Sequence, residues 1–284
     1  MLSHISQTTL LILQSLTIII FFGLLLLAIQ KLHSKLLLHS RLIYLTAWIG
    51  TPIHELSHSI LCLLSGHKIV KVAFFKPNLS DGTLGYVTHA YNPANGLHII
   101  GNLFIGVAPL FGGITASYLL TYFLLPNGKE FAQYLFIPWE TDLSFNALLV
   151  TLKYLASIVF ESYQQDHVKT VLWGYLVASI SLHMVPSYAD IKGGLLGAVF
   201  VILVMAVLRF MAEGLSETIL ATIYYYSTGM VVGFAVSASL GLAIALLSLS
   251  IQFIVWVIKS LLTPKHKAPL NDNAGLANQE NEAN

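Results

Sequence analysis

The chain has 284 residues, of which 56% are hydrophobic and 10% charged, with a formal net charge of +1. Soluble domains carry about 25% charged residues, so the composition excludes an ordinary water-soluble enzyme and a disordered chain. It also excludes a nucleic-acid binder, which needs a basic surface. The single cysteine, Cys62, rules out an intrachain disulfide and any cysteine-rich metal site.

Crossing ~30 Å of hydrocarbon takes about 20 apolar residues in a helix. The first such stretch, Thr8 to Ile29, holds no charge and is followed by Lys31 and Lys35. No Lys or Arg precedes it and no small-x-small cleavage site follows, so it reads as a retained anchor and not a signal peptide. Further apolar stretches run from Leu42 to Leu64, Leu97 to Leu125, Phe145 to Phe160, Val171 to Val185, Gly193 to Ala212 and Gly229 to Ile258. The expected fold is therefore an all-α polytopic membrane protein with about six or seven transmembrane helices. Lys and Arg are spread too evenly over the connections to set its orientation.

The expected parts are an anchor span and basic linker over 1–41, a transmembrane core over 42–212 and a C-terminal transmembrane region over 213–263. The remainder, 264–284, is polar, rich in Asn and without aromatics, and reads as disordered. Gly66 to Pro93 differs from its surroundings. Lys68 to Phe75 and Thr83 to Tyr91 are rich in β-formers and flank Pro77-Asn78-Leu79-Ser80-Asp81-Gly82. That turn chemistry predicts a small membrane-associated β-hairpin over 66–93, between two helices.

His54-Glu55-Leu56-Ser57-His58 lies inside an apolar stretch. Residues four apart share a helix face, so His54 and His58 can turn imidazole nitrogens toward one metal ion. Glu55 can then reach a metal-bound water without being a ligand, as metal-assisted peptide hydrolysis requires. Of thirteen acidic residues, Glu55 is the only one inside an expected span. A carboxylate at that depth costs roughly 2.5–3.5 kcal/mol on insertion scales, which marks it as functional. A patch that only packed helices together would use Ser, Thr or Asn.

A catalytic zinc site usually takes three protein ligands. Cys62 is eight residues from His54, about 12 Å along a helix, and zinc bonds are only ~2.0–2.3 Å long. It reads as a small buried hydrophobe. Two other candidates lie in the break Ser181-Leu182-His183-Met184-Val185-Pro186-Ser187-Tyr188-Ala189-Asp190. Asp190 is one and His183 its rival; were the break a short surface turn, Asp190 would merely cap the next helix.

With these residues on the page, the chain resembles the intramembrane site-2 zinc metalloproteases. That family carries His-Glu-x-x-His on one core helix and a later Pro-x-x-Asp-Gly-like segment. The resemblance implies Zn2+ as cofactor, His54 and His58 as ligands, Glu55 as general base and Asp190 as third ligand. Here three residues, not two, separate Pro186 from Asp190, and Ile191-Lys192 precede the glycine. Gly106-Val107-Ala108-Pro109 loosely resembles the family's small-Gly-Pro-x-x-Asn segment, and the hairpin resembles its membrane-associated β-structure. The resemblance covers roughly Leu42 to Ala212. It implies a multi-pass protein, placed in the cell membrane of a bacterium.

Other polar residues read as ordinary. Lys31, Lys35, Arg41, Lys259, Lys265 and Lys267 are expected as interfacial anchors, and Tyr224-Tyr225-Tyr226 as an aromatic belt. His33, His39 and His67 flank spans and read as solvated, whereas His89 and His98 lie near the hairpin base. The leading expectation is a zinc endopeptidase acting on transmembrane or membrane-proximal protein substrates, in contact with lipid and not with nucleic acid. A catalytically silent scaffold or partner-binding relative is the alternative, and a transporter a third.

Overall fold

The computed structural model describes residues 7–37, 43–78, 82–135 and 145–262. The elements in order are α1 (Gln7–Leu37), α2 (Tyr44–Leu64), β1 (Lys68–Ala73), β2 (Tyr86–Ala90), α3 (Gly96–Leu124), α4 (Gly128–Leu135), α5 (Phe145–Gln165), α6 (His167–His183), α7 (Tyr188–Met211) and α8 (Glu213–Leu262). Contacts divide the chain into two units, Met1–Ser248 and Leu249–Asn284. The first contains α1 to α7, the hairpin and α8 as far as Ser248. In the second, residues 249–262 are helical, and the expected disordered tail lies outside the described residues. So do His39, Arg41, Lys265 and Lys267.

Among the described residues, three helices are long and apolar enough to cross a membrane: Gly96–Leu124, Tyr188–Leu208 and Met230–Lys259. That is fewer than the six or seven expected. The physical reason is dilution of the other helices: α2 gives up positions to Thr46, Thr51, His54, Glu55 and His58, and α5 carries Lys153 and Glu161. The α6 helix has only 17 residues. The first expected span falls in α1, where most side chains before Ile20 lie outside the described set. In the α7 span only 11% of the window is buried, and Leu195, Leu196 and Ile202 are exposed. A helix apolar all round yet uncovered by protein is suited to a hydrocarbon surround.

The α2 helix ends in a Schellman turn, in which Gly66 has φ +72°. The Gly66 N–H donates to Leu63 O at 3.1 Å and the His67 N–H to Cys62 O at 2.8 Å. The chain then enters the expected hairpin, with β1 and β2 antiparallel and an irregularity between Ile69 and Lys71. An Asn78–Thr83 bridge extends it toward the turn, of which 79–81 lie outside the described residues. Asn95 caps α3 by accepting the Leu97 N–H.

The α3 helix packs most extensively on α7 and α2. One apolar cluster joins Phe131, Ile158, Trp173 and Val232, and the Trp173 Nε1–H donates to Thr121 Oγ1 at 2.9 Å to tie α6 to α3. A second cluster gathers Leu26, Ile114, Met184, Val185 and Phe234. Met184 and Val185 form the break between α6 and α7, so burial anchors the segment that leads to Asp190.

Two expectations are corrected. His33 is buried in α1, with its ring against Thr46, and His67 is buried at the hairpin base. Proximity to a span end hid their tertiary neighbours. Cys62 is a buried free cysteine, as expected.

Candidate metal centre

His54, Glu55 and His58 lie in the second half of α2, and backbone carbonyls hold both imidazoles. The His54 Nδ1–H donates to His183 O at 2.7 Å, and the His58 Nδ1–H donates to Ile105 O at 2.8 Å. A carbonyl only accepts, so each Nδ1 carries the proton and each neutral ring keeps a bare Nε2. The two Nε2 atoms lie 3.1 Å apart. Asp190 reaches them from the first turn of α7, with Oδ1 3.3 Å from His58 Nε2 and Oδ2 3.7 Å from His54 Nε2.

One ligand atom from each of these residues lies within 4.8 Å of the others, a cluster that could hold a metal ion. The donor set fits zinc: ligands at ~2.0–2.2 Å subtending a tetrahedral angle lie about 3.3–3.6 Å apart. The Nε2 pair at 3.1 Å and the Asp190 Oδ1–His58 Nε2 pair at 3.3 Å lie close to that range. With two neutral histidines and one carboxylate, a divalent ion would leave a net single positive charge, which eases burial in an apolar surround.

Asp190 is at once a cap and a member of the cluster. Ser187 caps α7 by accepting the Asp190 N–H at 3.2 Å, and Asp190 Oδ2 accepts the Ser187 N–H at 2.6 Å. This reciprocal capping box fixes the carboxylate while Oδ1 faces His58. The Pro/Gly-rich break expected around Asp190 is thus confined to the residues before Tyr188, and Asp190 itself is helical.

His183, the rival candidate, lies apart from this cluster. Its Nε2–H donates to Thr46 Oγ1 at 3.1 Å. The same hydroxyl accepts from His33 Nε2 at 3.2 Å and donates to Ile43 O. What His183 brings to the centre is its carbonyl, which orients His54.

Absent side chains let the helices close in. A Cβ on Gly106 would lie 2.6 Å from Asp190 O, and one on Gly113 would lie 2.5 Å from Met184 Cβ. Glycines in this part of α3 therefore seat the start of α7, in the segment whose sequence was singled out. On the other side, a Cβ on Gly85 would meet Glu55 Cγ at 2.8 Å and Ala73 O at 2.9 Å. The hairpin therefore crosses directly over Glu55, which is buried.

A cavity of about 800 Å³ opens over the cluster, lined by Glu55, Asp190, the β2 side of the hairpin and Lys31 of α1. Lys31, expected only as an interfacial anchor, thus lines the cavity. Sequence reasoning missed the carbonyls of Ile105 and His183, which carry no side-chain signal. It offered Asp190 as a plain cap but not the reciprocal box with Ser187, although Ser187-x-x-Asp190 has capping-box spacing.

Comparison of the chain with protein-family models, curated proteins and solved structures returns no match.

Proposed function

We propose that the protein is a zinc-dependent intramembrane endopeptidase, hydrolysing peptide bonds within or next to the membrane. One observation carries the reading. His54, His58 and Asp190 converge from two helices, and Glu55 stands beside the first histidine, buried at the floor of an open cavity. Packing alone gives no reason to gather these groups, because each costs free energy in an apolar surround. We also place α1, α2, α5 and α6 in the bilayer beside the three more apolar helices, which makes the chain multi-pass.

His54, His58 and Asp190 would hold the ion, which would supply polarisation of the scissile carbonyl and a lowered pKa for the attacking water. Glu55 takes a proton from that water and returns it to the nitrogen of the departing amine, so it ends the cycle as it began. A transmembrane substrate has to unwind locally to be cut, because a helix shields its own backbone carbonyls. The β2 edge bordering the cavity can bind such a segment as an added strand, through main-chain hydrogen bonds that ask little of its sequence.

The test is purification of the full chain with metal analysis, followed by cleavage of a transmembrane peptide by the unaltered protein and by Glu55→Gln. About one zinc per chain, with cleavage abolished in Glu55→Gln, supports the proposal. Absence of metal, or full cleavage by Glu55→Gln, overturns it.

A further inference from the structure

A second group of imidazoles stands at the hairpin base. His67 follows the Schellman turn of α2 and is 3% exposed. Its Nε2–H donates to His98 O at 3.0 Å, so in the neutral ring Nδ1 is bare. Burial pushes the His67 and His89 imidazoles below their ordinary values, which keeps both rings neutral near pH 7. Tyr91 stacks on the His67 ring, with centroids 5.1 Å apart and an interplanar angle of 11°. A Cβ on Gly101 of α3 would lie 3.1 Å from His67 Nε2. The His98 carbonyl, the Tyr91 face and the close approach of Gly101 together hold the ring in this orientation.

The bare Nδ1 of His67 lies 3.0 Å from Nδ1 of His89. Two bare nitrogens this close repel each other unless a cation lies between them, and His67 and His89 belong to no candidate metal cluster among the described residues. The proton of neutral His89 therefore sits on its Nδ1 and points at His67. Its Nε2 then carries a lone pair. Along β2, Val87 and His89 are half-buried while Tyr86, Thr88 and Ala90 are exposed, the alternation of a strand with one face turned inward. His89 lines the same cavity as His54, Glu55, His58 and Asp190.

We propose that His67 locks His89 in the Nδ1–H tautomer, so that His89 presents a bare Nε2 to the cavity as the acceptor for a main-chain N–H of the bound peptide. The inference rests on the peptidase reading and deepens it by naming a substrate-positioning residue and the residue that orients it. An unwound peptide brings N–H groups that have lost their helical partners, and each left unpaired away from water is costly. His54 and His58 cannot accept these protons while their lone pairs face a metal. His89 can, and an acceptor already oriented loses little entropy on binding.

Two measurements on the full chain in detergent micelles test this. Ring-15N histidine spectra read the tautomer directly. His89 should be protonated on Nδ1 and bare on Nε2, and should lose that preference in His67→Ala. It should keep it in His67→Asn, whose amide oxygen can accept the same hydrogen bond. In a Glu55→Gln background, binding of an uncleaved fluorescein-labelled transmembrane peptide should weaken about 3- to 10-fold in His89→Ala and His67→Ala, the range of one neutral hydrogen bond. His67→Asn should bind near the parent level.

Zinc content unchanged in every variant certifies that the core is folded. An Nε2–H tautomer for His89 in the unaltered protein, or parent-level binding by His89→Ala, overturns the proposal. Zinc loss in His89→Ala also overturns it, by making His89 a metal ligand. Failure of the peptidase reading would register separately, as missing zinc or cleavage in the unaltered protein, and leaves the tautomer measurement standing.

Discussion

Asp190 Oδ1 lies 3.3 Å from His58 Nε2, a contact between the first turn of α7 and the second half of α2. It joins two local motifs, each complete without the other. His54-x-x-x-His58 is a helix-face pair, and Ser187-x-x-Asp190 is a capping box that already orients the carboxylate. Helix capping and the candidate metal cluster therefore draw on the same side chain.

Loss of any one ligand should release zinc. His54→Ala, His58→Ala and Asp190→Asn each remove a donor from a three-ligand set. His183→Ala should retain most of the metal, because its carbonyl still accepts the His54 Nδ1–H. Metal analysis after dialysis separates the two behaviours. Zinc loss in His183→Ala with retention in Asp190→Asn would reverse the assignment.

Glu55→Gln should bind zinc normally and hydrolyse nothing, since an amide cannot take up the proton of the attacking water. The pairing of full metal content with lost turnover is the expected signature, read by metal analysis beside a peptide-cleavage assay.

Gly106→Ala and Gly85→Ala should fail differently. At Gly106 the new Cβ meets the Asp190 carbonyl at 2.6 Å, so the start of α7 must shift and zinc affinity should fall, on the order of 10- to 100-fold as for other changes that disturb ligand orientation. At Gly85 it meets Glu55 Cγ and the Ala73 carbonyl, so the hairpin must lift while the ligands stay in place. Zinc content should then be normal and turnover reduced. Titration with a zinc chelator, run beside the cleavage assay, resolves the pair.

A proline at Lys71 in β1 or Thr88 in β2 removes a main-chain donor without touching the metal ligands. Peptide binding should weaken and zinc content hold. Parent-level cleavage of a transmembrane substrate by both variants would eliminate strand addition as the binding mode.

The features legible in the sequence are those whose cause is local. The apolar composition, the four-residue spacing of His54 and His58 on one helix face, and the β-formers on either side of the Pro77–Gly82 turn each act within a few residues. Their periods and propensities can therefore be read along the chain. The tertiary structure decided between Asp190 and His183, which the sequence left open. The outcome depends on which group α7 and α6 carry to the α2 face, across a separation of more than a hundred residues. Glycine at position 106 lets the start of α7 come within reach, while Thr46 takes up the His183 ring. Packing likewise turned His33 and His67 from expected solvated flanks into buried, hydrogen-bonded rings. A side chain's burial and tautomer are set by neighbours in space, and a linear sequence carries no direct signal for those.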